Sequence, residues 1–357
     1  MAEREEAGGS LWPFLLGRAG RRGPRQVWRA LLGLACGAVL LALVARGVDI
    51  EAVEAGLRSA DGRWVGLALV AVLATTAAKI GRWERLFPEA QRPGLLCLGR
   101  ALLVGQLVNG LLPARVGDLA RAYLSGRGGG ISKATALGTI AAEKAFDVLF
   151  LLICAGLTAG LASLPGWLGV PLAAIATLGG SIFLLAVAFP EERMLTWIGR
   201  WSRVDLAPTA SLRTRWTRRL PGGAADWLKG VLQRGLVGLA GLRRPRKALV
   251  VCAWSLLIWT LAAGTNYVLF WAFDLKLSVG AALLLLTLLH VGTAPPSSPG
   301  RLGIFHALTV VGLGAFDVDR AASLAYAMVL HAVVYVPQIL FGSLALAIGR
   351  ETGGRGR

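Results

Sequence analysis

Two five-residue stretches, Pro113-Ala114-Arg115-Val116-Gly117 and Pro299-Gly300-Arg301-Leu302-Gly303, repeat one pattern, and each interrupts a long apolar run. In hydrocarbon the backbone groups freed at such a break find no water. A non-helical element at that depth must therefore pack against protein or line a wet cavity. Duplication of so costly a feature is the strongest constraint the chain places on its fold.

The surrounding composition is that of a bilayer protein, with 55% hydrophobic and 16% charged residues and a mean hydropathy of +0.62. Apolar runs of membrane-spanning length recur and leave no room for a large soluble domain. The net charge of +18 does not form a stripe with interleaved aromatic residues, so nucleic acid is not an expected partner. Basic residues crowd instead into the polar segments between apolar runs, as the positive-inside rule describes, and there they meet anionic headgroups. Cys36, Cys97, Cys154 and Cys252 stand singly without metal-ligand spacing, and the sequence calls for no cofactor or metal.

Hydropathy predicts an all-α polytopic fold with full crossings near 30–47, 64–81, 134–162, 168–189, 248–273 and 321–348. A basic N-terminus (1–29) precedes a single membrane domain (30–348), and a basic tail (349–357) follows it. Its first crossing reads as a retained anchor, because Arg46 stands where a signal-peptide cleavage site needs a small residue. Segments 95–126 and 279–316 remain, each a short apolar helix, a break and a second short helix. If both are re-entrant hairpins, Arg82, Arg85, Arg92, Arg100, Arg121, Arg127, Lys133 and the loop 190–247 all fall inside with both termini. If either were a full crossing, a basic loop would be exported.

The motifs are offset by 186 positions (113 to 299), and this offset superposes residues 64–162 on 248–348. Each half reads crossing, hairpin, crossing. The hairpins open from opposite sides, giving an inverted repeat of the kind that builds alternating access around a midplane site. Within 190–247, Trp227, Leu228, Val231, Leu232 and Leu236 recur at helical spacing among basic residues. That pattern suits an interfacial helix on the cytoplasmic leaflet, or a docking helix for a soluble partner.

Glu143, Lys144 and Asp147 occupy one face of the crossing 134–162. Glu143 lies about 15 Å along the helix from Lys133. Ionised groups near the bilayer centre cost about 2.5–3.5 kcal/mol each even on the gentler insertion scale, so they need partners or water. Arg115 and Arg301 are the expected partners, and the helix starts behind each break add positive dipole ends, together an anion site. The plainer alternative is an internal salt bridge without a ligand. Asp118 suits the start of its short helix, and Arg121 follows one turn later. Gln106 and Asn109 can satisfy backbone groups freed at the first break. Pro113, Gly117, Pro299, Gly300 and Gly303 supply the breaks themselves. His290, His306 and His331 match no compact metal-ligand spacing. His331 is a candidate proton relay with Glu143 or Asp147, and Asn266, Tyr335, Pro337 and Gln338 mark backbone relief or cavity lining.

In the run from Leu112 to Leu124, in Glu143-Lys144-Ala145-Phe146-Asp147 and in Pro299 to Gly303, the chain resembles the flippase-like family typified by the transmembrane region of lysylphosphatidylglycerol synthases. The resemblance covers about residues 60–348. It implies translocation of a lipid or lipid-linked headgroup across the cytoplasmic membrane, with Arg115, Arg121, Glu143 and Asp147 as functional candidates. Two departures concern the substrate: His306 stands where the family carries an acid, and Arg301 where glycine is common. The chain stops at Arg357 after its last crossing, so lysyl transfer is not expected of it.

Arg115, Asp118, Arg121, Glu143, Asp147, Arg301 and His306 are thus the expected substrate contacts for a phospholipid or polyprenyl-linked anionic headgroup, moved by alternating access with or without a partner synthase. The second expectation is a membrane-embedded transferase, or its partner subunit, in lipid or cell-envelope glycan modification. The large basic loop, poor in paired carboxylates, argues against an enzyme.

Overall fold

The computed structural model describes residues 24–111, 116–129, 131–161, 164–188, 245–294 and 298–354, and its regular structure there is entirely helical. The expected interfacial helix of 190–247 falls outside the described residues, as do Pro113, Ala114 and Arg115 of the first break.

Helix α1 (Pro24–Ala45) is followed by α2 (Ile50–Ser59). Asp49 caps α2 by accepting from the Glu51 N–H at 2.9 Å, a terminus stabilised as an N-cap should be. The sequence reading left this segment as a loop. Helix α3 (Gly62–Leu86) is capped by Asp61 and continues past the expected end at 81, so Arg82 and Arg85 belong to it rather than to a cytoplasmic loop.

Helices α4 (Leu95–Leu111) and α5 (Gly117–Gly129) flank the first break. Next come α6 (Lys133–Leu161) and α7 (Gly166–Ala188). Helix α8 (Pro245–Ala272) leads to α9 (Val279–Gly292) and α10 (Ile304–Gly314), which flank the second break, and α11 (Arg320–Gly354) carries the chain beyond the expected end at 348. Gly62–Leu86, Arg246–Ala272 and Arg320–Ile348 are each long and apolar enough to cross a membrane.

The longest helix contact pairs α3 with α8. Both ends of the pair are tied. The Asp61 N–H donates to the Ala272 carbonyl at 2.9 Å, and Lys247 Nζ donates to the carbonyls of Leu86 and Phe87 at 3.3 Å each. These ties fix the two helices antiparallel, and Trp64, Tyr267 and Trp271 cluster at one end with ring centroids 4.7 and 5.1 Å apart. Aromatic rings of this kind suit the interface between lipid and water.

Around that pair the packing partners are exchanged. Helix α4 lies on α11 while α9 lies on α6, and α5 lies on α6 while α10 lies on α11. Two apolar cores result, one around Trp83, Phe87, Leu98 and Phe146, the other around Phe270, Leu285, Phe305 and Tyr326. Leu96, Val170 and Leu249 are among many large apolar residues on the outside, as expected where the solvent is lipid.

Candidate functional site

The heart of the first core is ionic. Arg121, on α5, grips Glu143, on α6, through two parallel bonds, Nη1 to Oε1 at 3.0 Å and Nη2 to Oε2 at 2.7 Å. Bidentate pairing of this kind is strong and geometrically selective. The guanidinium also lies over the Trp83 ring, 4.1 Å from its centroid, a cation–π contact strengthened by the absence of water. The Trp83 indole N–H donates to Thr139 Oγ1 at 3.1 Å.

Arg82 reaches the same acids from α3. Its Nη2 is 2.8 Å from Asp147 and 3.9 Å from Glu143, while Nη1 donates to Ser255 at 3.1 Å. The sequence reading assigned these acids to Arg115 and Arg301. Arg115 falls outside the described residues, and Arg301 makes no ion pair with them. The partners present are Arg82 and Arg121, with Lys144 Nζ 4.0 Å from Glu143. Arg82 was missed because hydropathy ends the span one residue before it; its signal was its position one turn from Lys79 on a continuous helix.

At the first break, Asn109 behaves as expected. Its Oδ1 accepts from the Gly117 N–H at 2.7 Å and its Nδ2 donates to Asp118 at 3.4 Å. Asp118 also stands 3.8 Å from Arg121. Gly117 cannot carry a side chain, since a Cβ would overlap the Gly105 carbonyl. Gln106 Oε1, by contrast, is buried without a hydrogen-bond partner among the described residues.

The second break is built from left-handed backbone: Gly300 (φ 66°), Arg301 (φ 55°) and Gly303 (φ 82°). Pro299–Arg301 forms a single 3₁₀ turn, and Ser298 Oγ donates to the Leu302 carbonyl at 2.6 Å. Arg301 Nη1 donates to Thr293 Oγ1 at 3.2 Å. His331 Nε2 is 2.8 Å from the Gly300 carbonyl, which assigns the proton to Nε2. Rings then accumulate, His331 against Tyr335 at 4.4 Å, His306 at 5.1 Å and Phe305 at 5.2 Å. No hydrogen bond or ion pair joins His331 to Glu143 or Asp147 among the described residues.

Helix α4 approaches the second break. Gln106 and Gly110 of α4 face Gly300 of the second break and His331, Tyr335 and Gln338 of α11 across a cavity of about 140 Å³.

Fold and site together define a polytopic helical membrane protein with a sealed ion-pair cluster beside paired helix breaks. The chain belongs to the lysylphosphatidylglycerol synthase TM region family, which matches residues 30–342. It is similar to a protein named glycosyltransferase AglD from Haloferax volcanii, 26% identical over 333 residues; the match covers 87% of this chain and 53% of the relative. The chain thus spans about half the length of that relative. No solved structure matches.

Proposed function

We propose that this protein moves a phospholipid or polyprenyl-linked anionic headgroup across the cytoplasmic membrane by alternating access. The observation that carries the reading is the buried cluster of Arg82, Arg121, Glu143 and Asp147, held by α3, α5 and α6 beside the first break. An anchor or scaffold gains nothing from charges so expensive to keep away from water. In this reading the two helix–break–helix units are re-entrant hairpins entering from opposite faces, with six full crossings around them and both termini cytoplasmic. The exchanged packing of α4 on α11 and α9 on α6 is what an inverted repeat with a pseudo-two-fold axis in the membrane plane requires. Asp118, Glu143, Asp147, Arg301 and His306 line or support the path, with the glycines of the breaks as hinges.

The test is translocation of a fluorescent phospholipid or polyprenyl phosphate by the full chain in proteoliposomes. Wild type should accelerate movement, and Asp147→Asn and Glu143→Gln should each reduce it by about tenfold or more, the scale of a lost charge-assisted contact. Equal movement by wild type and both variants would sink the reading.

The name of the Haloferax volcanii relative, a glycosyltransferase, favours a second reading, a membrane-embedded transferase or partner subunit in lipid or glycan modification. Formation of a glycosylated lipid from an added sugar donor, without headgroup movement, would replace the first reading with this one.

A further inference from the structure

Arg121 is the hub of the buried cluster, yet little fixes it from within the cluster itself. It grips Glu143 through both terminal nitrogens, while its Nε has no hydrogen-bond partner among the described residues. Its placement therefore rests on what packs against its stem and on the carboxylate that stands beside its head. One face of α4 controls both.

Gly105 and Asn109 stand one turn apart on α4 and share that face. A Cβ on Gly105 would overlap Arg121 Cγ and lie 2.8 Å from Cδ, so the aliphatic stem runs directly against the α4 backbone. With the Trp83 ring 4.1 Å from the guanidinium carbon, the side chain is confined at stem and head alike.

Asn109 supplies the second hold. The atom 2.7 Å from the Gly117 nitrogen must be Oδ1, because only an acceptor can meet an N–H, and this turns Nδ2 toward Asp118 at 3.4 Å. Gly117 makes room for the amide: a Cβ there would lie 2.6 Å from Asn109 Cγ and Oδ1. Asp118 in turn stands 3.8 Å from Arg121 Nη1. The bridge needs an acceptor on one side and a donor on the other, which a carboxylate in place of the amide cannot offer.

We infer that Gly105 and Asn109 are positioning residues for Arg121, and that Arg121 releases Glu143 only when this face of α4 draws back from α5. The positioning follows from the contacts alone. Its use, engaging and freeing Glu143 during a transport cycle, rests on the headgroup path proposed above.

The experiment is modification of buried arginines by phenylglyoxal in the purified full chain, with rates read peptide by peptide by mass spectrometry. Arg82 is the internal reference, since its side chain is also buried and is tied to Asp147 and Ser255. Asn109→Ala and Gly105→Ala should each raise the rate at Arg121 by about tenfold, the scale of one lost hydrogen bond to a charged group, and leave Arg82 unchanged. Should one of them fail to fold, the other carries the test. Asn109→Asp should raise the rate at least as far, because two carboxylates then face each other. Adding Asp118→Asn reverses donor and acceptor within the same bond and should bring protection back. Equal acceleration at Arg82 and Arg121 would reduce α4 to a general support of the fold and overturn the inference. An unchanged rate at Arg121, or no recovery in the paired substitution, would overturn it too. In the translocation assay the same single variants should slow headgroup movement; a chain in which Asn109 controls Arg121 but which moves no lipid would refute the transport reading alone.

Discussion

At the first break Gly117 closes on the Gly105 carbonyl of its own hairpin; at the second, Gly303 closes on the Gly37 carbonyl of α1. The two glycines stand at the same place in the two motifs, 186 positions apart (117 to 303). Backbone-to-backbone contact is thus common to both units. Their chemistry is not. The same offset carries Arg82, Arg121, Glu143 and Asp147 onto Val268, Ala307, Val329 and Val333. The first unit holds the ion pairs, while the second holds stacked rings on a left-handed turn whose one charge, Arg301, meets a hydroxyl. Matching motifs therefore need not carry matching chemistry, and among the described residues the buried ion pairs lie with the first.

The sharpest way to break this comparison is to truncate matched positions. Arg82→Ala leaves the part-exposed Asp147 without its closest partner and takes a buried cation from beside Glu143, and should cost about 3 kcal/mol of stability. The matched Val268→Ala removes two methyl groups and should cost about 1–2 kcal/mol. Thermal unfolding of the two variants in the same detergent reads the difference, and equal losses would show that the ion pairs are not structurally dominant.

Next in size are the glycines. Gly303→Ala should cost about 2–5 kcal/mol, since overlap with the Gly37 backbone adds to a left-handed φ. Gly117→Ala meets overlap alone and should cost about 1–3 kcal/mol. A reversed order, read from the same unfolding midpoints, would indicate that the first break is the more rigid.

Trp83→Leu removes the face beneath Arg121 and should cost about 1–2 kcal/mol more than the apolar area predicts. A double-mutant cycle with Arg121→Met isolates that coupling. Smallest of all, His331→Phe keeps the ring stack but loses the bond to the Gly300 carbonyl, at about 1 kcal/mol. A larger loss would mean that the second unit depends on polar contacts as much as the first.

Much of this arrangement was legible in the sequence because hydropathy and Pro/Gly breaks act locally. The second break lies where Pro299 to Gly303 indicate, and the amide of Asn109 meets the Gly117 N–H as its position suggested. Ion-pair partners were not legible. Arg82 ends an apolar window, so a rule that counts Lys and Arg as loop markers placed it in water, although the helix runs on to Leu86 and buries it. Helix α2 was hidden by its length, though Asp49 followed by Ile50, Val53 and Leu57 at helical spacing was a usable cue.

Gly37 and Gly303 meet backbone to backbone, with the Ser298 side chain beside them. Interlocked side chains must change rotamer before one helix slips along another, and at this crossing the nearest side chain is a short hydroxymethyl group. On the transport reading, the second break would therefore slide past α1 more readily than its companion, wedged against Gly105 and Asn109 of its own hairpin, would leave α4.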